Sequence, residues 1–387
     1  MRKGRRRGFV DCASGSKTEE GSLRGAETIQ TTMLSLRCPE QMVPPRHPLR
    51  RVKVLADAVL REMSGSFDEM YSDVGRPSVP PEQLLKATLL MAFFTVRSER
   101  LFCEQLGYNL LFRWFLGMGV VDEPFDHSTF SFNRRRLLEH DVAGEFFQRV
   151  VAKAKVERLM SDEHFSVDGS LIEAWASLKS LRPKGEDPMK RDPPDDPGNP
   201  TVNFHGEKRS NETHQSTTDP EARLARKADN QPARLCYSEH VLMENRNGLI
   251  VDLEITEASG TTEREQALQL LDRAVPGTKR ITLGGDKGFD THGFVAECRD
   301  RRVTPHVAQN MKRNGGSAID RRTTRTSGYG TSQRIRKRIE EIFGWSKTIG
   351  GFRRTRYKGR ERTQFLAYFV GAAYNLLRMA KLMSSTA

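Results

Sequence analysis

The segment ARLCYSEHVLMENRNGLIVDLEITEA at residues 233–258 holds the clearest local pattern in the chain. Two largely apolar runs flank Asn247-Gly248, a dipeptide that tolerates the positive φ of a tight turn, so the segment predicts a β-hairpin. Upstream, FSVDGSLIEAWA at residues 165–176 alternates between apolar and polar residues like a strand. The hairpin and this segment together predict three early strands.

Helix and strand patterns alternate after the hairpin. The predicted order is helix, strand, helix, strand, helix, carried by residues 261–275, 279–290, 291–300, 302–310 and 331–349, and a last amphipathic helix follows at 363–383. Three early strands followed by alternating helices and strands predict a mixed α/β sheet with helices on both faces.

The amino-terminal part has a different character. Residues 1–40 are basic and then rich in Ser, Gly and Thr, which predicts a disordered arm. Residues 45–160 predict an all-helical domain, in which HSTFSFNRRRLLEH at 127–140 forms a helix capped by Ser128 or Thr129. A Pro/Asp/Lys-rich stretch at 179–233 predicts a long polar insertion.

Charge and composition restrict the class of protein. The chain has 387 residues, a net charge of +13 and a sequence pI near 9.6, which favours a polyanionic partner such as nucleic acid. Its most apolar stretch, Leu84 to Val96, includes Lys86 and is shorter than the roughly 20 residues of a membrane span. The five cysteines form no CxxC pair. We therefore expect a cytoplasmic protein without a zinc ribbon or a disulfide framework.

Three carboxylates occupy positions that such a sheet would bring together. Asp168 lies in the first strand, Asp286 ends the fourth, and Glu340 lies in a late helix. Ligands of open α/β sheets collect at the carboxyl ends of strands, and oxygen ligands select Mg²⁺ or Mn²⁺. Two such ions catalyse in-line phosphoryl displacement. Taken singly, each aspartate could instead be a turn former, and Glu340 could lie on a solvated helix face beside Glu341.

Several quoted segments resemble DDE transposases of bacterial insertion sequences, in the IS-four/IS-five-like group. They include SVDGSLIEAWAS, HVLMENRNGLIVD, GDKGFD and RKRIEEIFGWSKT, and the resemblance spans residues 45–380. It implies an RNase H-like catalytic domain at 161–380, with Asp168 and Asp286 as its two aspartates. The family's glutamate motif fits Arg336, Glu340 and Lys347, whereas its tyrosine position holds Gln333.

The resemblance also implies a function. The helical domain would bind the terminal inverted repeats, and the catalytic domain would use two Mg²⁺ or Mn²⁺ ions at Asp168, Asp286 and Glu340. Water would cleave double-stranded DNA at the element ends, and the freed 3′-hydroxyl would join target DNA. We expect a homodimer or higher oligomer in a bacterial, nucleoid-associated complex. Two alternatives stay open: a nuclease that cuts without joining, and a decayed or domesticated copy that only binds DNA.

Charge density indicates where DNA would lie. Between Lys312 and Arg362 there are sixteen Lys or Arg and four acids, although an ordinary solvated basic helix would show the same excess. Arg336 could hold a phosphate or orient Glu340, and Trp345 could stack on a base or pack in the core. The predicted DNA contacts are Arg336, Lys347, Arg353, Arg354, Arg356 and Lys358, together with Arg134 and Arg135 in the helical domain.

Overall fold

The computed structural model describes residues 38–70, 78–185 and 209–385, apart from positions 229, 261, 278 and 313–314. The predicted arm at 1–40 lies outside the described residues except for its last three, where a short helix begins at Pro39. Much of the predicted insertion, residues 186–208, also lies outside them.

Helices make up the structure before the first strand. They are α1 (Pro39–Met42), α2 (Leu49–Glu62), α3 (Ser64–Met70), α4 (Pro81–Phe93), α5 (Glu99–Tyr108), α6 (Leu110–Leu116), α7 (His127–Glu139) and α8 (Val142–Val156). The buried residues of α2 recur at helical spacing, whereas α4 is buried on most sides. This difference in amphipathicity places α4 in the interior of the helical region.

Strands and further helices alternate after residue 163. The strands are β1 (His164–Glu173), β2 (Leu181–Pro183), β3 (His214–Ser216), β4 (Arg223–Ala225), β5 (Arg234–Glu244), β6 (Ile250–Glu257), β7 (Ile281–Gly285) and β8 (Val303–Val307). The helices are α9 (Thr262–Ala274), α10 (His292–Asp300), α11 (Arg321–Thr324), α12 (Ser327–Ile335), α13 (Ile339–Thr348) and α14 (Arg360–Ser385).

The main sheet has the predicted mixed topology. Its long strands lie in the order β6-β5-β1-β7-β8, with β1 antiparallel to β5 and parallel to β7. The hairpin of β5 and β6 turns at Asn247-Gly248, and Gly248 has the expected positive φ of 72°. Three antiparallel strands followed by two parallel ones form the RNase H-like arrangement that the resemblance implies.

Both faces of this sheet are covered. Phe165 and Val167 of β1 belong to a core cluster with α9 and α10, whereas Ile172 of the same strand belongs to a cluster with the amino-terminal helices and α14. The long helix α14 packs against α2, α4, α8 and β6, and it thereby joins the helical region to the sheet. None of the helices in the described ranges is long and apolar enough to cross a bilayer.

Three local expectations from the sequence were wrong. Helix α7 is capped by Asp126, whose side chain accepts a hydrogen bond from Ser128 N, and not by Ser128 or Thr129. The helix expected over 331–349 is divided, because a 3₁₀ turn at Arg336–Arg338 separates α12 from α13. The described parts of the polar insertion are not only loop, since β2 pairs with β3 and β4 joins the main sheet.

Candidate active site

Asp168 and Asp286 lie on neighbouring strands at the same level of the sheet. The parallel register of β1 and β7 ends with Ser166 opposite Gly284, and each aspartate follows two residues later. Adjacent strands are about 4.8 Å apart, so this register makes the two carboxylates neighbours where the strands end their pairing. Asp286 Oδ1 accepts a hydrogen bond from Gly288 N at 2.7 Å, which fixes it at the start of a 3₁₀ turn.

The surroundings of Asp168 disfavour its negative charge. The pKa of Asp168 is raised to about 6, and burial is the largest cause. The hydrogen bond from Gly169 N–H lowers the pKa, the charges of Asp286 and Glu263 raise it by smaller amounts, and the charge of Arg336 lowers it. Carboxylates gathered in this way are stabilised by a bound cation. Oxygen donors of this kind suit a hard divalent ion.

Arg336 lies beside Gly284, the residue of β7 that pairs last with β1. Its Cβ is 3.5 Å from the point where a Cβ on Gly284 would stand, and its Nε donates a hydrogen bond to Gln333 Oε1 at 3.1 Å. Gln333 Nε2 in turn donates to His306 O at 2.6 Å on β8. The residue at the family's tyrosine position therefore ties Arg336 to the edge of the sheet.

Glu340 is exposed in the first turn of α13, four residues after Arg336. No hydrogen bond or ion pair joins it to either aspartate in the described residues. Within the same residues, no group of three His, Cys, Asp or Glu side chains is close enough to hold a metal ion. The predicted convergence of Glu340 on Asp168 and Asp286 therefore stays a prediction.

Lys347 reaches the face of β1 on which Asp168 lies. Its Nζ donates a hydrogen bond to Ser170 Oγ at 2.5 Å, and Ser170 pairs across the sheet with Glu239 of β5. Glu239 is buried, its Oε2 has no hydrogen-bond partner among the residues that the structure describes, and burial raises its pKa to about 7. Burial also lowers the pKa of Lys347. A constrained ammonium group thus lies one side-chain position beyond Asp168 on the same face.

A basic segment at residues 352–358 runs along the end of β1. Glu173 N donates to Arg353 O at 3.0 Å, and Thr355 N donates to Glu173 O at 2.9 Å. The Arg354 side chain donates to the carbonyls of Ala174 and Trp175 and lies over the Trp175 ring. These contacts fix the segment against the strand that carries Asp168.

The side chains of this segment differ in exposure. Arg356 donates to Val96 O at 3.1 Å and is engaged within the protein, as Arg354 is. Arg353 and Lys358 are exposed. Of the four predicted DNA contacts here, these two present their charge to solvent.

Arg134 and Arg135 have different surroundings although they are adjacent on α7. Arg134 forms an ion pair with Glu99 and lies 4.8 Å from the centre of the Tyr357 ring, and Tyr357 Oη donates to Glu99. Arg135 is exposed and lies 5.3 Å from the centre of the exposed Phe132 ring. Arg134 therefore links α7 to the basic segment, whereas Arg135 faces solvent.

Trp345 is half-buried and packs edge-on against Tyr374 of α14, with 5.6 Å between ring centres. Of the two roles that the sequence left open for Trp345, stacking on a base or packing in the core, this placement agrees with packing in the core. Its ring holds α13 against α14, and it thereby helps to set the position of Lys347 on the same helix.

The strand order and the paired aspartates place the chain among proteins with an RNase H-like core. Residues 37–136 match the family model of a transposase domain (DUF772), and residues 203–376 match that of a transposase DDE domain. Together these matches cover most of the chain, which belongs to the DDE transposases of the insertion-sequence type. Asp286 and Glu340 lie within the second match, whereas Asp168 lies between the two.

Solved transposase structures resemble the chain only loosely. A synaptic complex of piggyBac transposase with hairpin DNA shares 10% identity over 88% of this chain and 76% of that one, with a TM-score of 0.38. A Mos1 mariner paired-end complex with Mn shares 13% identity over 84% of this chain and 85% of that one, with a TM-score of 0.19. Superpositions this loose do not equate individual residues. No curated protein sequence matches the chain.

Proposed function

We propose that the chain binds the terminal inverted repeats of an insertion sequence, cleaves double-stranded DNA at those ends and joins them to target DNA. The observation that carries this proposal is the adjacency of Asp168 and Asp286, each two residues beyond the last pair that joins the parallel strands β1 and β7. Lys347 and the basic segment at 352–358 both contact β1, the strand that carries Asp168. They supply positive charge for a phosphate backbone.

The donor set fits Mg²⁺ or Mn²⁺. Asp168 and Asp286 would hold the ions, with Glu340 as the third predicted ligand. In proteins, Mg²⁺ is commonly bound through one or two carboxylates together with substrate phosphates. When bound, two such ions activate the attacking oxygen and stabilise the leaving oxygen of a phosphodiester.

The chain's own side chains would position the DNA. The Lys347 ammonium, which donates a hydrogen bond to Ser170, would bind a phosphate next to the scissile one. Arg336, whose Nε donates to Gln333 and whose Cβ lies beside Gly284 of β7, would bind a second phosphate. Arg353 and Lys358 would contact the backbone farther along. Each contact is sequence-independent, so it would position the DNA and not select it.

Recognition of the terminal repeats would fall to the helical region. Arg135, beside the exposed ring of Phe132, offers charge and an aromatic surface together on α7. Two ends must be brought together for transposition, so we propose a homodimer or higher oligomer in the DNA complex. The complex would act on the nucleoid in the bacterial cytoplasm.

A strand-cleavage assay on DNA from either side of the reading frame tests this function. We expect Mg²⁺-dependent nicking at inverted repeats by the wild type. Asp286→Asn should lower the rate by about a thousandfold or more, because it removes a proposed ligand of the metal ions that the reaction needs. Asp300→Asn, which alters an exposed acid at the end of α10, serves as the control and should leave the rate unchanged.

The products separate the proposal from its alternatives. Strand transfer from pre-cleaved ends supports a transposase, whereas cleavage without joining would indicate a nuclease. End binding without any metal-dependent cleavage by the wild type would indicate a decayed copy that acts only as a DNA-binding protein. Equal cleavage by the wild type and Asp286→Asn would reject the assigned site.

A further inference from the structure

A cavity opens just beyond the carboxyl ends of β7 and β8, and its lining begins at Lys287, the residue after Asp286. It has a volume of about 320 Å³. Three separate segments supply cations to its wall: Arg264 in the first turn of α9, Lys287 in the turn after β7 and Lys312 in the loop after β8. This feature, which we call the cationic cavity, therefore gathers charge from distant parts of the sequence onto one concave surface.

Hydrogen bonds between its segments hold the wall of the cationic cavity. Arg264 Nη1 donates to Gly288 O at 3.2 Å, which ties α9 to the turn after β7. Asp290, the acid of the lining, is buried, and its two carboxylate oxygens accept hydrogen bonds from Asn310 N at 2.6 Å and Ala318 N at 2.9 Å. The turn after β7 is thereby joined to the loop after β8. The three cations extend from backbone segments that are fixed to one another.

The three cations have no anionic partner in the part of the chain that the structure describes. Lys287 and Lys312 are exposed, and their ammonium groups form neither an ion pair nor a hydrogen bond there. Arg264 donates to a carbonyl and forms no ion pair in the same residues. Lys279, near the opposite end of β7, is by contrast paired with two acids. A cleft with an excess of one charge attracts an ion of the opposite sign.

A phosphodiester is the anion that suits this lining. Its two non-bridging oxygens accept hydrogen bonds from ammonium, guanidinium, hydroxyl and amide groups. Besides the three cations, the lining contains the Thr291 hydroxyl, whose oxygen caps α10, and the Asn310 side-chain amide. Because Lys287 directly follows Asp286, a phosphate bound here would belong to DNA that passes close to the aspartates.

Arg264 and Lys347 lie on opposite faces of the sheet. Helix α9 packs in one cluster with Phe165 and Val167 of β1, whereas Lys347 contacts Ser170, whose side chain points to the other face. DNA at the aspartates would therefore meet Lys347 on one side and the cationic cavity on the other.

We propose that the cationic cavity binds a phosphate of the DNA backbone, on the side of the aspartates away from Lys347. Arg264, Lys287 and Lys312 would supply the charge for this contact. The inference rests on the proposed function. The phosphate belongs either to the element end with its flanking DNA or to target DNA, because both must reach the same aspartates.

Uncharged methylphosphonates, placed one at a time instead of phosphates, locate such a contact. Duplexes that carry an element end and its flank form the first arm of the experiment. Target duplexes, added to the complex of the full chain with unlabelled ends, form the second. Fluorescence anisotropy without divalent ions measures affinity while no strand is cut. We expect one position at which loss of the phosphate charge weakens wild-type binding by about tenfold.

The double variant Lys287→Met/Lys312→Met removes the same contact from the protein side. At the sensitive position the methylphosphonate should then have little further effect, because the two changes act on one interaction. Lys279→Met is the matched control, since it alters a lysine near the amino end of the same strand and should keep the wild-type pattern. Circular dichroism checks that each variant is folded.

The arm in which the coupled position appears identifies the DNA. Coupling in the end duplexes assigns the phosphate to the element end, and coupling in the target duplexes assigns it to target DNA; either result supports the inference. The same pattern for the wild type and the double variant in both arms overturns it. The proposed function is tested separately, because equal cleavage by the wild type and Asp286→Asn rejects that function and leaves a coupled phosphate in place. A wild type that binds neither DNA overturns both.

Discussion

Lys347 Nζ donates a hydrogen bond to Ser170 Oγ at 2.5 Å, and this bond joins the last turn of α13 to the strand that carries Asp168. Ser170 lies two residues beyond Asp168, so both side chains point to the same face of the sheet. The helix whose first turn carries Glu340 is thereby joined at its last turn to β1.

Lys347 should contribute one phosphate contact. Lys347→Met should lower the slope of log affinity against log salt by about one for DNA end fragments, because one fewer counterion is released. Fluorescence anisotropy at several salt concentrations measures this slope. Lys279→Met is the control, since Lys279 is engaged with Asp162 and Glu163. Equal slopes for the wild type and Lys347→Met would show that the ammonium does not reach DNA.

Glu239 should make stability depend on pH. Burial raises its pKa from 4.5 to about 7, so the folded state favours the protonated carboxyl. Its contribution to stability is fully present below pH 4.5 and is lost as the pH rises through about 7. Thermal melting should therefore show Glu239→Gln close to the wild type near pH 4.5 and more stable at pH 8. A difference that stays constant across this range would contradict the assignment.

Gln333 should position Arg336. Gln333→Leu removes the acceptor for Arg336 Nε and the donor to His306 O, so we expect a loss of about 1 kcal/mol in stability and slower cleavage. DNA binding should change little, because the charge of Arg336 remains. Single-turnover cleavage and anisotropy separate the two effects. A loss of binding with an unchanged cleavage rate would point to a direct DNA contact by Gln333.

Arg134 and Arg135 form a matched pair. Arg134→Met should lower the free energy of unfolding by about 1–2 kcal/mol, because Glu99 and Tyr357 lose a partner in a partly buried site. Arg135→Met should leave stability unchanged and weaken DNA binding. Chemical denaturation and anisotropy on the same two variants test this. The reverse pattern would mean that Arg134, and not Arg135, faces the DNA.

The sequence predicted the order of the strands because each has a local pattern. A few consecutive residues are enough to recognise each pattern: the Asn247-Gly248 turn, the alternation around Asp168 and the glycines before Asp286. The sequence also predicted that the sheet would bring Asp168 and Asp286 together. Asp286 does follow the carboxyl end of β7, whereas Asp168 lies in the middle of β1, just beyond the point where its pairing with β7 ends. The RNase H-like order of the sheet is confirmed.

Other features depend on tertiary contacts between residues that are far apart in the sequence, so no local pattern predicts them. The approach of Glu263 to Gly169 and the engagement of Arg134 with Tyr357 both arise from packing between distant segments. For Glu263, a glycine directly after a strand aspartate was the one available sequence signal. It does not indicate which side chain would fill the space.

Anomalous scattering from crystals of the wild type soaked in Mn²⁺ would locate the divalent ion that Asp168 and Asp286 are proposed to bind. We expect a peak beside the point where the β1–β7 pairing ends, with carboxylate oxygens of Asp168 and Asp286 about 2.1 Å away, near the distance usual for small hard divalent ions. The peak should be absent from Asp286→Asn crystals soaked in the same way. A peak elsewhere, or none at these aspartates in the wild type, would contradict the account.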